Sequence, residues 1–320
     1  MTDRRTFLAA AGAMLAARRA AAQATFPSRA IRLVVGQAPG GQTDTIARAV
    51  AHFWSERWRD GVVVENQPGA SGAIAARNVA QAPPDGYTLL LGSTASLVLA
   101  TVSGEAGYDS LRDFTPIGRV ARVSYALVAR GGLGTARLDE FVTLARRRPG
   151  AVTLATVGPA SNVAVLATRF ARAAGIEILQ VPYRSGAPSV QALLVGEVDA
   201  TICDLSAVAA HAAAGTVRIL AVVGAQRSPL APEVPTLGEA GYADVGDDPW
   251  YALVGPAGLP APVTGTLAAL LHSTVREPEL RRRFATLGYT VFEDTPDAFT
   301  RALARELAQT RSTLAAEERR

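Results

Sequence analysis

IRLVVGQAPGGQTDTIAR, residues 31–48, contains one complete strand-to-helix unit. The β-branched run Ile31 to Val35 reads as a strand, and the loop after it carries Gly36, Gly40 and Gly41. Apolar spacing from Thr43 to Trp58 predicts an amphipathic helix capped by Thr43 or Asp44. Glycines let the backbone turn tightly and approach a ligand, and a helix start offers unpaired N–H donors with a partial positive charge. The dipole supplies only about 0.3–2 kcal/mol, so hydrogen bonds must provide the rest of the roughly 8 kcal/mol of micromolar anion binding. Taken alone, the turn is equally consistent with a tight connection that binds nothing.

The unit recurs. In TLATVGPASNVAVLATRF, residues 153–170, a β-run ends at Thr156, Gly158 bends the chain, and Ser161 or Asn162 caps a helix. Open α/β sheets bind ligands at the carboxyl ends of their strands, so two such turns in different halves are expected to face each other across a cleft. LLLGSTAS, residues 89–96, ends a third strand with the hydroxyls of Ser93 and Thr94, or is a plain serine turn. Further strands are expected at 62–65, 125–129, 178–181, 200–203, 219–223 and 251–254. Helices are expected at 73–81, 138–147, 189–194, 206–213, 261–277 and 296–318, an alternation that argues for largely parallel α/β sheets. Chain crossings near 125–130 and 248–254 would divide the body into lobe 1 (25–128 and 250–320) and lobe 2 (129–249).

Arg4 and Arg5 precede an apolar run of about 11 residues, too short to span a bilayer, and Ala22-Gln23-Ala24 offers a cleavage site. Residues 1–24 therefore read as a signal peptide and the protein as periplasmic, with the DRRTFL string leaving both Sec and twin-arginine export open. The formal charge of +4 includes four arginines and one aspartate in that leader, so the remaining chain is close to neutral. Its cations are scattered arginines without a single lysine, which gives no nucleic-acid footprint. The absence of lysine and of GxGxxG after the first strand also excludes the nucleotide loops. Cys203 stands alone, and His52, His211 and His272 fall in expected helices, so no zinc spacing, disulfide or catalytic triad takes shape. GASG at 69–72 lacks the spacing of a nucleophile elbow.

Over nearly all of its length the chain resembles the extracytoplasmic receptors of tripartite tricarboxylate transporters, the Bug family. The ordered motifs that carry the likeness are PSRAIRLVVGQAPGGQTDTIAR, VVVENQPGASGAIAARNVAQAPPDGYTLLLGST, YDSLRDFTPIGRVA, VPYRSGAPSVQALLVGEVDATICD, EVPTLGEAGYADV and PWYALVGPAGLPAPV. The resemblance implies a type II periplasmic-binding fold, with two α/β lobes closing on a small organic carboxylate, no cofactor, no metal and no chemical step. It further implies a monomer that delivers its ligand to the membrane permease subunits of such a transporter. By motif position it assigns ligand contacts to Gln37, Ala38, Pro39, Gly40, Gly41 and Thr43, to Ser93 and Thr94, to Thr156, Gly158, Ser161 and Asn162, and to Tyr183. Asp204 and Trp250 are expected at the cleft edge. Ala164, where relatives commonly carry histidine, and the Pro159-Ala160 pair depart from the family pattern. Two alternatives use the same pocket: a periplasmic α/β enzyme acting on a small carboxylate, and an orphan sensor that docks on a signalling partner. The enzyme reading lacks an acid, base or nucleophile at a strand end.

Overall fold

The computed structural model describes residues 26–104, 106–158 and 161–317; the expected leader, 1–24, lies outside them. In chain order the first part comprises strand β1 (Ile31–Val35), helix α1 (Gln42–Arg57), β2 (Val62–Asn66), α2 (Ala73–Ala80) and β3 (Thr88–Ser93). A π-turn at Ala95–Leu99 then runs into α3 (Ala100–Ser103), and β4 (Phe114–Val123) follows. The second part holds β5 (Tyr125–Arg130), α4 (Leu138–Arg147), β6 (Val152–Thr156), α5 (Asn162–Ala174) and β7 (Ile178–Pro182), then α6 (Gly186–Val195), β8 (Ala200–Asp204), α7 (Ala209–Ala213) and β9 (Val217–Val222). The chain closes with β10 (Trp250–Pro256), α8 (Ala261–Val275), α9 (Pro278–Thr286), β11 (Tyr289–Val291) and α10 (Pro296–Glu317).

These strands form a six-stranded sheet, β11-β4-β10-β3-β1-β2, and a five-stranded sheet, β7-β6-β8-β5-β9. Both sheets are mixed rather than largely parallel as the alternation argued. β2-β1-β3 and β7-β6-β8 run parallel, whereas β10 and β5, which follow the two crossings, pair antiparallel with their neighbours. Helices cover both faces of the central strands, which explains the continuous apolar runs in the sequence. Side-chain alternation divides each core in two. Ile31, Leu33 and Val35 pack with Trp54 of α1 and Leu271 of α8, whereas Val34 packs with Leu90, Phe299 and Leu303 under α10. In the second sheet Leu127 joins Phe141 and Phe170, while Ala126 and Val128 join Val190 and Leu193 of α6. The buried Trp54 indole donates to Thr274 Oγ1 at 3.1 Å and ties α8 to α1.

The chain passes between the sheets at Ser124 and again just before Trp250. Val123 N–H donates to Pro249 O at 2.9 Å and Val223 N–H to Tyr125 O at 2.8 Å, so the two crossings lie side by side. β5 bonds only to β8 and β9, which puts the first crossing at Ser124, ahead of the 128/129 boundary expected from sequence. Other differences have local causes. The helix expected across 261–277 ends at Val275, and Pro278 opens a separate one with its missing N–H at the first turn. The helix expected across 206–213 is a 3₁₀ turn, Leu205–Ala207, followed by the short α7, because Asp204 Oδ1 takes both the Ser206 amide and its hydroxyl.

Candidate functional site

The first glycine turn is fixed by Asp44. The helix cap is Gly41, two and three residues ahead of the expected Thr43 or Asp44. Asp44 instead folds back from the first turn to accept the Gly40 amide at 2.9 Å, Asn66 Nδ2 at 2.9 Å and Arg48 Nε at 2.8 Å. Asn66 Nδ2 also donates to Gln37 O at 3.0 Å, which joins the two sides of the loop. Burial alone would raise the Asp44 pKa; the bonds from Arg48, Gly40 and Asn66 outweigh it and hold the carboxyl below its ordinary value. Gly40 occupies φ +82°, and Gly36 approaches Gly72 so closely that a Cβ on it would lie 2.5 Å from the Gly72 Cα.

Thr43 follows, 2% exposed in the first turn of the 16-residue α1. Its Oγ1 sits beside the Tyr251 phenol, whose strong upward pKa shift from burial it slightly relieves, yet it has no partner at hydrogen-bonding geometry. A buried hydroxyl without a partner is costly, and this one stands at the positive end of a helix. Ser93 and Thr94 lie at the same sheet edge: β1 and β3 run parallel with Val35 opposite Leu91, and Ser93 pairs with Tyr251. Ser93 exchanges bonds with Ser96, and Thr94 Oγ1 accepts the Trp250 amide at 3.0 Å.

In the second sheet Thr156 is buried at the end of β6, Gly158 takes φ +72°, and Ser161 caps α5 by accepting the Ala164 amide at 3.2 Å. Asn162 is the first helical residue. Pro159 and Ala160 lie outside the described residues. β6 and β8 run parallel with Leu154 opposite Ala200, so the Gly158 turn is level with Asp204 at the end of β8. Asp204 Oδ2 in turn accepts Gln42 Nε2 from α1 at 2.7 Å. The first residue of α1 is thus tied to the end of β8, the strand beside the second glycine turn.

The residues around this contact form a network that sequence reasoning missed. Gln42 Oε1 accepts the phenols of Tyr125 at 3.2 Å and Tyr251 at 2.9 Å, and Tyr289 donates to Asp204 Oδ2 at 3.4 Å. Burial raises the Asp204 pKa, with the bonds from Gln42, Ser206 and Tyr289 pulling it back. At the crossing itself, Asp248 Oδ1 accepts the Tyr125 amide at 2.9 Å. Burial pushes the Asp248 carboxyl up to about 7, only partly relieved by the amides of Tyr125 and Gly224 and by Arg122. For an acid with a raised folded pKa, the native state holds the proton more tightly, so its stability falls as pH rises from the unfolded value of 3.8 through about 7. Compared with Asp248→Asn, the wild-type protein should lose roughly 2–4 kcal/mol between those limits in urea denaturation at a series of pH values.

One expected contact turns its side chain elsewhere. The Trp250 ring turns under α10, where it meets Phe299 edge-on at 5.5 Å and donates Nε1 to Glu306 at 2.7 Å. Tyr183 follows β7 at the same strand ends as the Gly158 turn, its amide donating to Thr156 O at 2.8 Å. Its ring packs on the apolar cluster beneath α6, its buried hydroxyl has no hydrogen-bond partner, and burial and then Glu197 raise its pKa. Shallow hollows of about 330 and 360 Å³ lie on the flanks of α4 and α8, away from both glycine turns. Among the described residues no cluster of His, Cys, Asp or Glu could hold a metal ion, and Cys203 is a buried thiol that burial pushes up out of the reactive range.

Two α/β sheets joined by paired crossings define the class of two-lobed periplasmic solute-binding proteins. The family model described as tripartite tricarboxylate transporter family receptor matches residues 46–317, and the chain belongs to that family. It is similar to protein BugT of Bordetella pertussis, with 33% identity over 285 residues, 88% of this chain and 87% of that protein. The solved periplasmic binding protein BugD superposes with a TM-score of 0.80 at 29% identity, covering 91% of this chain and 98% of that one. An R. palustris protein solved with adipate gives 0.81 at 30% identity, with 90% and 96% coverage.

Proposed function

We propose that this chain is an exported, periplasmic receptor that captures a small organic carboxylate between its lobes and delivers it to the permease subunits of a tripartite tricarboxylate transporter. It works as a monomer, after loss of residues 1–24, and performs no chemical step. Its lobes are residues 26–123 with 250–317, and 124–249. The observation that carries the reading is the buried Thr43 hydroxyl without a hydrogen-bond partner at the start of α1, next to the Gln42–Asp204 contact that joins α1 to the end of β8. A carboxylate there would accept the Thr43 hydroxyl and the open first-turn amides of both helices, with the loop Gln37–Gly41 around it and Ser93, Thr94, Thr156, Gly158 and Asn162 at the margins. The adipate held by the R. palustris relative supports this ligand class.

Thr43→Ala should weaken carboxylate binding by about 1–3 kcal/mol while leaving the melting temperature of the free protein unchanged or slightly higher, since no native partner is lost. Titration calorimetry with short-chain acids checks this; equal affinity in both proteins would remove Thr43 from the site. A thermal-shift panel of carboxylates finds the ligand class, because a true ligand at 100 times its dissociation constant adds about 2.7 kcal/mol. Recovery of the ligand unchanged after prolonged incubation separates receptor from enzyme.

A further inference from the structure

We propose that Arg169 of α5 and Glu306 of α10 form a latch behind the hinge, an ion pair made when the lobes swing apart and broken when they close, which sets how tightly a ligand is held. It depends on the two-lobed architecture and not on the class of ligand. The inter-lobe contacts are uneven about the crossings. β10 begins directly after the crossing at Pro249, and its first two side chains leave on opposite faces, Trp250 towards Glu306 and Tyr251 towards Gln42. On the Tyr251 face the lobes touch. Gln42 and Tyr289 reach Asp204 at 2.7 and 3.4 Å, and Leu230 packs on the turn at Gly288, where a Cβ would lie 2.6 Å from its Cδ1.

On the Trp250 face two charged groups face each other without joining. Arg169 lies along the second crossing, its Nη1 3.5 Å from where a Cβ on Gly246 would stand. Its buried Nε has no hydrogen-bond partner, and it forms no ion pair among the described residues. Glu306 is half-buried and takes the Trp250 indole on Oε2 at 2.7 Å. Burial raises its pKa and the Trp250 bond lowers it; Asp247 raises it, and Arg119 and Arg169 lower it, so the carboxylate of one lobe already feels the guanidinium of the other. Arg119 is bound to Asp294, which leaves Arg169 as the cation with a place to fill. A guanidinium N–H buried without an acceptor is unfavourable, and an arrangement that supplies one offsets this. Because the crossings run between the two faces, a rotation that parts Gln42 from Asp204 carries α5 towards α10. The pair then stabilises the open arrangement, and ligand capture must break it, so the apparent dissociation constant rises with the share of molecules it holds open.

Arg169→Met keeps the buried aliphatic stem without the charge, and Glu306→Gln keeps an acceptor for Trp250. Small-angle X-ray scattering of the ligand-free variants should give a smaller radius of gyration than wild type. Titration calorimetry with adipate and with malate should show the tighter-binding acid held about three- to tenfold more tightly by each variant. The double variant should gain no more than either single one, since both changes undo the same bond. Unchanged or weaker binding in a folded variant, or gains that add in the double variant, overturns the latch, and Glu306→Gln decides the matter if Arg169→Met fails to fold. If neither acid binds, the carboxylate reading falls alone and the scattering comparison decides the latch: smaller radii in the variants support it, and equal radii in all three proteins overturn it.

Discussion

Asp44→Ala should cost about 3 kcal/mol of stability and at least about 2 kcal/mol of ligand affinity, the largest combined loss of any single change near the cleft. The carboxylate is 3% exposed and simultaneously holds the Gly40 amide, Asn66 and Arg48. Alanine would strand the Gly40 N–H and free Asn66 from the link that also fixes Gln37 O, so the loop would no longer keep the shape that opens α1 to a ligand. Arg48 is about half exposed and would return to water at little cost. Because the folded pKa of Asp44 is depressed, its contribution is complete above the unfolded value of 3.8 and is lost as pH falls through the folded one. Urea denaturation at neutral and acidic pH, with calorimetry on the same samples, checks both losses. Retained affinity in a destabilised Asp44→Ala protein would mean that loop shape does not govern binding.

Trp250→Ala should destabilise the protein by about 3–5 kcal/mol and leave ligand affinity within about twofold of wild type. The ring fills the space between β10 and α10 against Phe299, Leu303 and Leu307, and its removal leaves both a cavity and the half-buried Glu306 carboxylate without its donor. Burial already raises the Glu306 pKa, so the orphaned group would titrate higher still. Trp250→Phe keeps most of the packing and loses the bond, and should fall between the two. Chemical denaturation measures the stability, and titration with the best carboxylate measures the affinity. A large loss of affinity without a loss of stability would return the Trp250 side chain to the cleft.

Local chemistry explains what the sequence reveals about this molecule. Both glycine turns are legible because positive φ at Gly40 and Gly158 and the cap at Ser161 depend on neighbouring residues only. β4 escapes such reading: FTPIGRVARV carries Pro116, Gly118, Arg119 and Arg122, and its ladder with β10 is broken by register shifts. β11 is three residues long, too short to register as a period. Trp250 and Tyr251 show why the site is only partly readable. Every residue of β10 is buried, so alternation cannot say which of two adjacent aromatics faces the cleft, and the structure gives that place to Tyr251. Gln42 lies inside the deciding stretch, but its partners Asp204 and Tyr251 are 162 and 209 residues away, and only the folding of both lobes brings them together.

A crystal structure of the mature protein with its tightest-binding acid is the most direct measurement. It should show one carboxylate seated between the first turns of α1 and α5, accepting the Thr43 hydroxyl and amides from both helix starts, with the rest of the ligand directed towards Asp204. An acid bound on the flank of α4, on α8, or anywhere that leaves the Thr43 hydroxyl unpartnered would contradict a receptor built on two opposed helix starts.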